Sequence, residues 1–210
     1  MLTRQRYYDV FSRYYDLFVE LHSKGKTNSS RQHLAHKTGA ASGDRVLDLC
    51  TGTGAVALAL SERVGPDGMV VGVDFSRGML RKAREKAAKQ GITNITCIQT
   101  DVGAMPFRDN SFAATTCSYA FYELKGSMRS KVLEEVVRTT RPDGLFCMME
   151  HDIPENRLVR TLFYIRIYVA GLKGVRQFLT EELSLFKRFF KDVKKESIHA
   201  GRSKIVCGRV

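Results

Sequence analysis

Tryptophan is absent from the 210-residue chain and proline occurs only four times, which excludes a proline-rich linker or stalk. Seventeen glycines are too few for a low-complexity segment. Long apolar runs are missing as well. The longest stretch, Leu162 to Leu172, is interrupted by Arg166 and falls short of the roughly 20 residues needed to cross a bilayer. The N-terminus carries Arg4 and Arg6 followed by tyrosines and aspartates, so no signal peptide is expected. The five cysteines (Cys50, Cys97, Cys117, Cys147 and Cys207) form no C-x-x-C pair and are odd in number. They read as buried free thiols of a reducing cytoplasm rather than as zinc ligands or disulfides, and no metal is expected.

Acidic residues are the other shortage. Twenty-two Asp and Glu face 34 Lys and Arg, a net charge of +12. Such a balance raises nucleic acid or an anionic membrane as a partner. The excess is uneven: residues 151–210 hold 13 basic and 6 acidic side chains, more than half of the total imbalance. What remains, 43% hydrophobic and 27% charged, describes one domain able to bury about 70% of its unfolded surface.

The chain opens with a repeat, RYYDVFS at 6–12 and RYYDLFV at 13–19. Seven residues make two helical turns, so Tyr7, Phe11, Tyr14 and Phe18 share one side. An amphipathic helix packed on the domain, or an aromatic lid over a ligand, would produce that pattern. Residues 22–30 read as a polar loop, and His33 and His36 follow on a short helix, as surface residues rather than metal ligands. From residue 45 apolar runs alternate with helical segments. Strands are expected at Arg45–Cys50, Met69–Asp74, Asn94–Thr100, Phe112–Tyr119 and Leu145–Glu150. Helices are expected at Ala55–Arg63, Ser76–Gln90 (capped by Ser76 and stopped by Gly91) and Met128–Thr140, the last ended by a turn at Arg141–Gly144. This alternation specifies a doubly wound parallel α/β sheet. Residues 156–190 read as helical, with a break near Gly171–Gly174. Two closing strands, Val193–His199 and Lys204–Val210, flank a turn at Ala200–Arg202.

Ligands of open parallel sheets bind at the carboxyl ends of the strands. The first strand here runs Val46-Leu47-Asp48-Leu49-Cys50-Thr51-Gly52-Thr53-Gly54, and Gly52 and Gly54 allow a tight turn with close ligand approach. Asp74, at the end of the second strand, is placed to accept both hydroxyls of a ribose. Gly52-x-Gly54-x-x-Ala57 also matches the dinucleotide fingerprint, so NAD is one reading. Against it, Asp48 would repel a pyrophosphate. Acids at the ends of three successive strands, Asp48, Asp74 and Asp101, suit S-adenosylmethionine, with its ammonium, ribose diol and adenine amine.

With VLDLCTGTG (46–54), GVDFSRGML (72–80), TDVGAMPFRDNSF (100–112) and VVRTTRPDGLFCMME (136–150), the chain resembles the class I S-adenosylmethionine-dependent methyltransferases. Within them it is most similar to the ubiquinone/menaquinone C-methyltransferases. The resemblance covers about residues 45–150. It implies a Rossmann-like doubly wound seven-stranded sheet of order 3-2-1-4-5-7-6, the last strand antiparallel, with helices on both faces. It implies a single domain over 1–210: an N-terminal helical lid or cap (1–40), a cofactor-binding core (45–150), and a helical insert with a closing strand hairpin (151–210). Asp48, Cys50, Thr51, Gly52, Thr53 and Gly54 would hold the methionine part of S-adenosylmethionine. Asp74 would bind the ribose, Phe75 and Met79 would lie beside the adenine, and Asp101 and Val102 would contact its edge. Ser118 and Tyr119 would face the sulfonium and the acceptor. The chain departs from the pattern at Cys50, where the first glycine is common, at Ala113-Ala114, and in the tail after 155.

Methyl transfer needs an in-line arrangement free of water, and carbon methylation of a hydroquinone also needs its hydroxyl ionised. The candidates for that base are His151, Tyr119, Glu123, Tyr122 and Asp152, with His151 foremost because imidazole titrates near neutrality. Equally, His151 reads as a partly exposed residue bonded to a loop, and Glu123 as a solvated helix-start acid. The expected acceptor is a small aromatic or lipophilic molecule, foremost a quinone. An RNA or protein methyltransferase, and a catalytically inactive S-adenosylmethionine-binding regulatory protein, are the alternatives. The basic tail (Arg157, Arg160, Arg166, Lys173, with Leu158, Leu162, Ile165 and Val169 on one face) suits either peripheral contact with the inner face of a membrane or a helix covering the sheet, with a homodimer contact as a third use.

Overall fold

The computed structural model describes residues 2–12, 27–124, 126–153, 157, 160–162, 164–165, 175–198 and 203–210. Strands β1 (Arg45–Leu49), β2 (Met69–Asp74), β3 (Ile95–Gln99), β4 (Phe112–Ser118) and β5 (Thr140–His151) run parallel. β6 (Lys191–Ile198) and β7 (Ser203–Arg209) close the sheet, β7 lying antiparallel between β5 and β6. The strand order is 3-2-1-4-5-7-6. The helices are α1 (Leu2–Phe11), α2 (Thr27–Lys37), α3 (Ala55–Val64), α4 (Arg77–Lys89), α5 (Met128–Thr139) and α6 (Val175–Lys187). This is the expected Rossmann-like sheet.

The near-continuous apolar strands have the pattern of a sheet covered on both faces. On one side Val46, Val70, Ala114 and Met149 pack with Leu34, Val56 and Leu60 of α2 and α3. On the other, Leu47, Leu49, Phe146 and Met148 pack with Leu133 of α5 and Phe186 of α6. The Val, Leu, Phe and Met side chains among them each contribute roughly 1.5–3 kcal/mol by leaving water. Local signals set the helix ends as expected. The Ser76 side chain accepts the Met79 amide at 3.2 Å at the start of α4, and Gly91 beyond its end takes a left-handed φ of 67°.

Three expectations change. The helix Met128–Thr139 runs directly into β5, and Arg141–Gly144 is taken into that strand as an irregularity where the β4–β5 register shifts, with Asp143 at φ 64°. Helix α2 begins at Thr27, inside the expected polar loop. Its His33 is joined by a carboxylate 163 residues away: Glu196 of β6 lies 2.9 Å from His33 and 2.5 Å from Lys37. Cys147 and Cys207 oppose each other across β5 and β7 and form a disulfide, leaving Cys50, Cys97 and Cys117 as free thiols. A pairing set by the register of strands 60 residues apart is invisible to a spacing argument, and it removes the thiol basis for a cytoplasmic reading.

Tyr14, Phe18, Leu158, Arg166, Val169, Lys173, Gly171–Gly174 and Ala200–Arg202 lie outside the described residues. Leu162 and Ile165 are exposed. No helix among the described residues is long and apolar enough to cross a membrane.

Candidate active site

The turn from β1 to α3 is built from left-handed residues: Cys50 (φ 51°), Gly52 (φ 55°) and Gly54 (φ 80°). Gly54 is required twice over. Its backbone is left-handed, and a Cβ there would lie 2.8 Å from the Cβ of Ala83 in α4. The Thr51 amide donates to the Val73 carbonyl at 2.9 Å, tying the turn to β2. Thr53 is buried, and its hydroxyl accepts from Lys86 at 2.9 Å.

Two carboxyls stand behind this turn. Asp48 is buried, accepting the Thr51 hydroxyl at 2.7 Å and the Thr116 hydroxyl at 2.8 Å. Burial pushes it up to about 6, against the pull of those two hydroxyls. Asp74, also buried, accepts the Gly52 amide at 3.0 Å and the Ser76 amide at 2.9 Å, so it bridges the turns after β1 and β2. Burial likewise raises it to about 6, opposed by those amides. The Phe75 amide adds to that pull on its charged form. Two desolvated carboxyls facing a glycine turn, with no cationic side chain among the described residues bonded to either, are an acceptor set for a cationic, hydroxyl-bearing ligand. Asp101 at the end of β3 is exposed and caps its own turn by accepting the Gly103 amide at 2.9 Å, with Val102 buried beside it. Met79 is buried in the first turn of α4.

Helix α1 docks by a different face from the one its repeat suggests. The repeat pointed to Tyr7 and Phe11, yet Tyr7 is 59% exposed and stacks on Phe11 at 5.5 Å. The face that meets the domain carries Tyr8, Asp9 and Ser12. Asp9 accepts the Ser76 hydroxyl at 2.6 Å and the Gly78 amide at 2.8 Å. A Cβ on Gly78 would fall 2.7 Å from the Asp9 carbonyl, so this glycine admits α1 at close range. The Tyr8 ring meets Phe75 edge-on at 5.5 Å, and its hydroxyl donates to both oxygens of Glu123, at 2.8 and 2.7 Å. Helix α1 thereby links the turn after β2 to the turn after β4. The heptad spacing announced a helix and could not say which face docks.

At the ends of β4 and β5 the predicted residues come together. After Ser118, Tyr119 turns left-handed (φ 50°), and its amide donates to the Met149 carbonyl at 2.8 Å. Its hydroxyl shares a 2.9 Å bond with Ser203, and burial raises its pKa. The His151 ring lies 4.9 Å from that of Tyr119 and 6.0 Å from that of Tyr122. A 3-10 turn, Phe121–Glu123, carries Tyr122 and Glu123. Asp152 is committed elsewhere. Burial works to raise it, but hydrogen bonds from Lys195 and Ser197, both at 2.8 Å, prevail and hold it below the usual carboxylate range.

The ubiE/COQ5 methyltransferase family model matches residues 2–187. The chain is 34% identical over 163 residues to a demethylmenaquinone methyltransferase of Shouchella clausii, covering 76% of this chain and 68% of the relative. It is 35% identical over 176 residues to a 2-phytyl-1,4-naphtoquinone methyltransferase of Nostoc, covering 81% and 76%. Among solved structures, an S-adenosylmethionine-dependent methyltransferase of Aquifex aeolicus shares the fold (TM-score 0.61, 20% identity, 86% of this chain and 89% of that one). So does Haemonchus contortus phosphoethanolamine N-methyltransferase 2 in complex with S-adenosyl-L-methionine (TM-score 0.63, 21% identity, 81% and 38%).

Proposed function

Because the chain belongs to the ubiE/COQ5 methyltransferase family and is an S-adenosylmethionine-dependent methyltransferase, we propose that it methylates a ring carbon of a small lipophilic acceptor of quinone type. The observation that carries this reading is the cluster of Tyr119, Tyr122 and His151 at the ends of β4 and β5, β4 being the strand paired with β1. Flat side chains with polar edges suit an aromatic ring bearing hydroxyls. The names of the quinone-methylating relatives support the same class.

In this reading Asp48 and the turn Cys50–Gly54 hold the methionine part of the cofactor, and Asp74 holds the ribose. Phe75, Met79, Asp101 and Val102 hold the adenine, with Ser118 and Tyr119 beside the reacting methyl. When bound, the cofactor supplies a sulfonium methyl group whose sulfur leaves with the bonding electron pair. His151 takes the phenolic proton of the reduced acceptor, so that the ring carbon beside the oxygen becomes nucleophilic. Tyr119 and Tyr122 orient the ring, and Glu123 anchors α1 through Tyr8. Helix α1 acts as the lid, excluding water once both ligands are in place. The exposed Leu162 and Ile165, with Arg157 and Arg160 on the same segment, offer an anionic membrane a contact from which a lipophilic acceptor can be drawn.

The test is methyl transfer from labelled S-adenosylmethionine to a reduced 2-prenyl-1,4-naphthoquinone, with the product identified by mass spectrometry. Label on the ring carbon is the expected result. Label recovered only in RNA or protein of a cell extract would replace this acceptor class, and cofactor binding with no transfer to any fraction would mark a regulatory protein.

A further inference from the structure

Alternation along β5 sends Met148 to the face packed by α5 and α6 and Met149 to the opposite face, so Glu150 follows Met148. Glu150 is fully buried, at the carboxyl end of β5. One of its oxygens accepts the Tyr122 amide at 3.3 Å, and the other has no hydrogen-bond partner among the described residues. Directly across the sheet stands Lys204, equally buried, whose ammonium donates to Glu182 of α6. One buried ammonium thus faces two buried carboxyls and is bonded to Glu182. Arg129, in the first turn of α5, donates to the Tyr122 carbonyl at 3.0 Å. Tyr122 is therefore held at both of its peptide groups, by Glu150 at its amide and by Arg129 at its carbonyl.

We infer that Glu150 is a positioning residue for the acceptor end, fixing the turn Phe121–Glu123 and through it the directions of Tyr122 and Glu123. The charges around it decide how this depends on pH. Facing Glu150 are Lys204 on β7, Arg129 on α5, Cys117 and Tyr119 at the end of β4 and, through Lys204, Glu182 on α6. Burial pushes Glu150 up to about 8, although the amides of Tyr122, His151 and Phe121 and the Lys204 ammonium favour its charge. Near neutrality Glu150 is therefore the uncharged acid and Lys204 stays with Glu182. Above about 8 it gains a charge that recruits Lys204 from Glu182 or Arg129 from the Tyr122 carbonyl, and either move unsettles the turn.

The proposal rests on the acceptor-end reading above, so two readouts are used. In the first, kcat/KM for the reduced 2-prenyl-1,4-naphthoquinone is followed from pH 6 to 9.5. The wild type should lose activity above about 8. Glu150→Gln keeps an acceptor for the Tyr122 amide and cannot ionise, so it should keep activity at pH 7 within about threefold and lack the alkaline fall. Glu150→Ala should lose about tenfold or more in kcat/KM with the S-adenosylmethionine Kd unchanged. In the second, amide exchange of a peptide spanning 119–124 should be about tenfold faster in Glu150→Ala and unchanged in Glu150→Gln at pH 7. Arg129→Gln should speed the same exchange, and it carries the test if the Glu150 variants fail to fold. An alkaline fall surviving in Glu150→Gln, or unaltered exchange in both Glu150→Ala and Arg129→Gln, would overturn the proposal. A wild type inactive on the naphthoquinol but showing these exchange changes would remove the acceptor reading and leave the positioning role.

Discussion

Lowering the pH from 8 to 5 should weaken cofactor binding steeply, and the size of the effect follows from two side chains. Asp48 and Asp74 are buried carboxyls raised to about 6. A cationic ligand stabilises their charged forms, so binding lowers both values and expels whatever protons they hold. At pH 5 a group titrating near 6 is about ten parts protonated to one part ionised, so requiring its charge weakens affinity by about 11-fold. If both must ionise, the factors multiply to about 120-fold, or close to 3 kcal/mol. The free protein has the opposite slope. Each carboxyl is raised above the ordinary 3.8, so its contribution to stability is fully present below that value and is lost as pH rises through about 6. Cofactor should therefore raise Tm more at pH 8 than at pH 5. Titration calorimetry in buffers of different ionisation enthalpy measures the Kd and the proton count together. Protons should be released below about 6, and Asp74→Asn should reduce the loss between pH 8 and 5 from about two decades to one. A Kd constant within twofold from pH 5 to 8, or net proton uptake on binding, would refute the assignment of these carboxyls to a cationic ligand.

Other consequences are as direct. Gly54→Ala forces a Cβ against Ala83 at a backbone φ of 80°, and should cost about 1–3 kcal/mol in thermal unfolding as well as weaken cofactor binding. A Tm unchanged within a degree would show that the turn can relax. Tyr8→Phe keeps the ring against Phe75 and loses the hydroxyl bonded to Glu123. If α1 closes the site, stopped-flow release of cofactor should quicken roughly 3- to 10-fold with the fold intact; an unaltered rate would leave α1 a purely structural strut. The denatured chain should titrate three thiols before reduction and five after it, because Cys147 and Cys207 are joined. Five thiols before reduction would remove the disulfide.

The glycine turn after β1 was legible in the sequence because its determinants are local. Asp48, Thr51, Gly52 and Gly54 lie within seven residues, and the turn they make is dictated by left-handed backbone that favours glycine. Asp74 belongs to the same reading through one strand-helix-strand unit, whose handedness and length leave it a single place beside the first turn. The alternation of apolar runs likewise set the sheet class, and the two closing strands fit the seven-stranded order.

The cluster at the ends of β4 and β5 was only half visible. Tyr119, Tyr122 and His151 were recognisable as strand-end residues, yet nothing local announced that Tyr119 would spend its hydroxyl on Ser203 or Asp152 its charge on Lys195. The docked face of α1 is not readable from its repeat, because a helical period identifies a stripe and the surface it meets lies 115 residues away at Glu123. Glu150 ended an apolar run as one more acid at a strand terminus. Its burial and the capture of Lys204 by Glu182 exist only once β7 is laid against β5 and α6 covers them. Turn chemistry and residue period act over a few bonds and so were fixed by the chain alone. Desolvation, charge pairing and the Cys147–Cys207 bond depend on which strands become neighbours, and the folded sheet decided them.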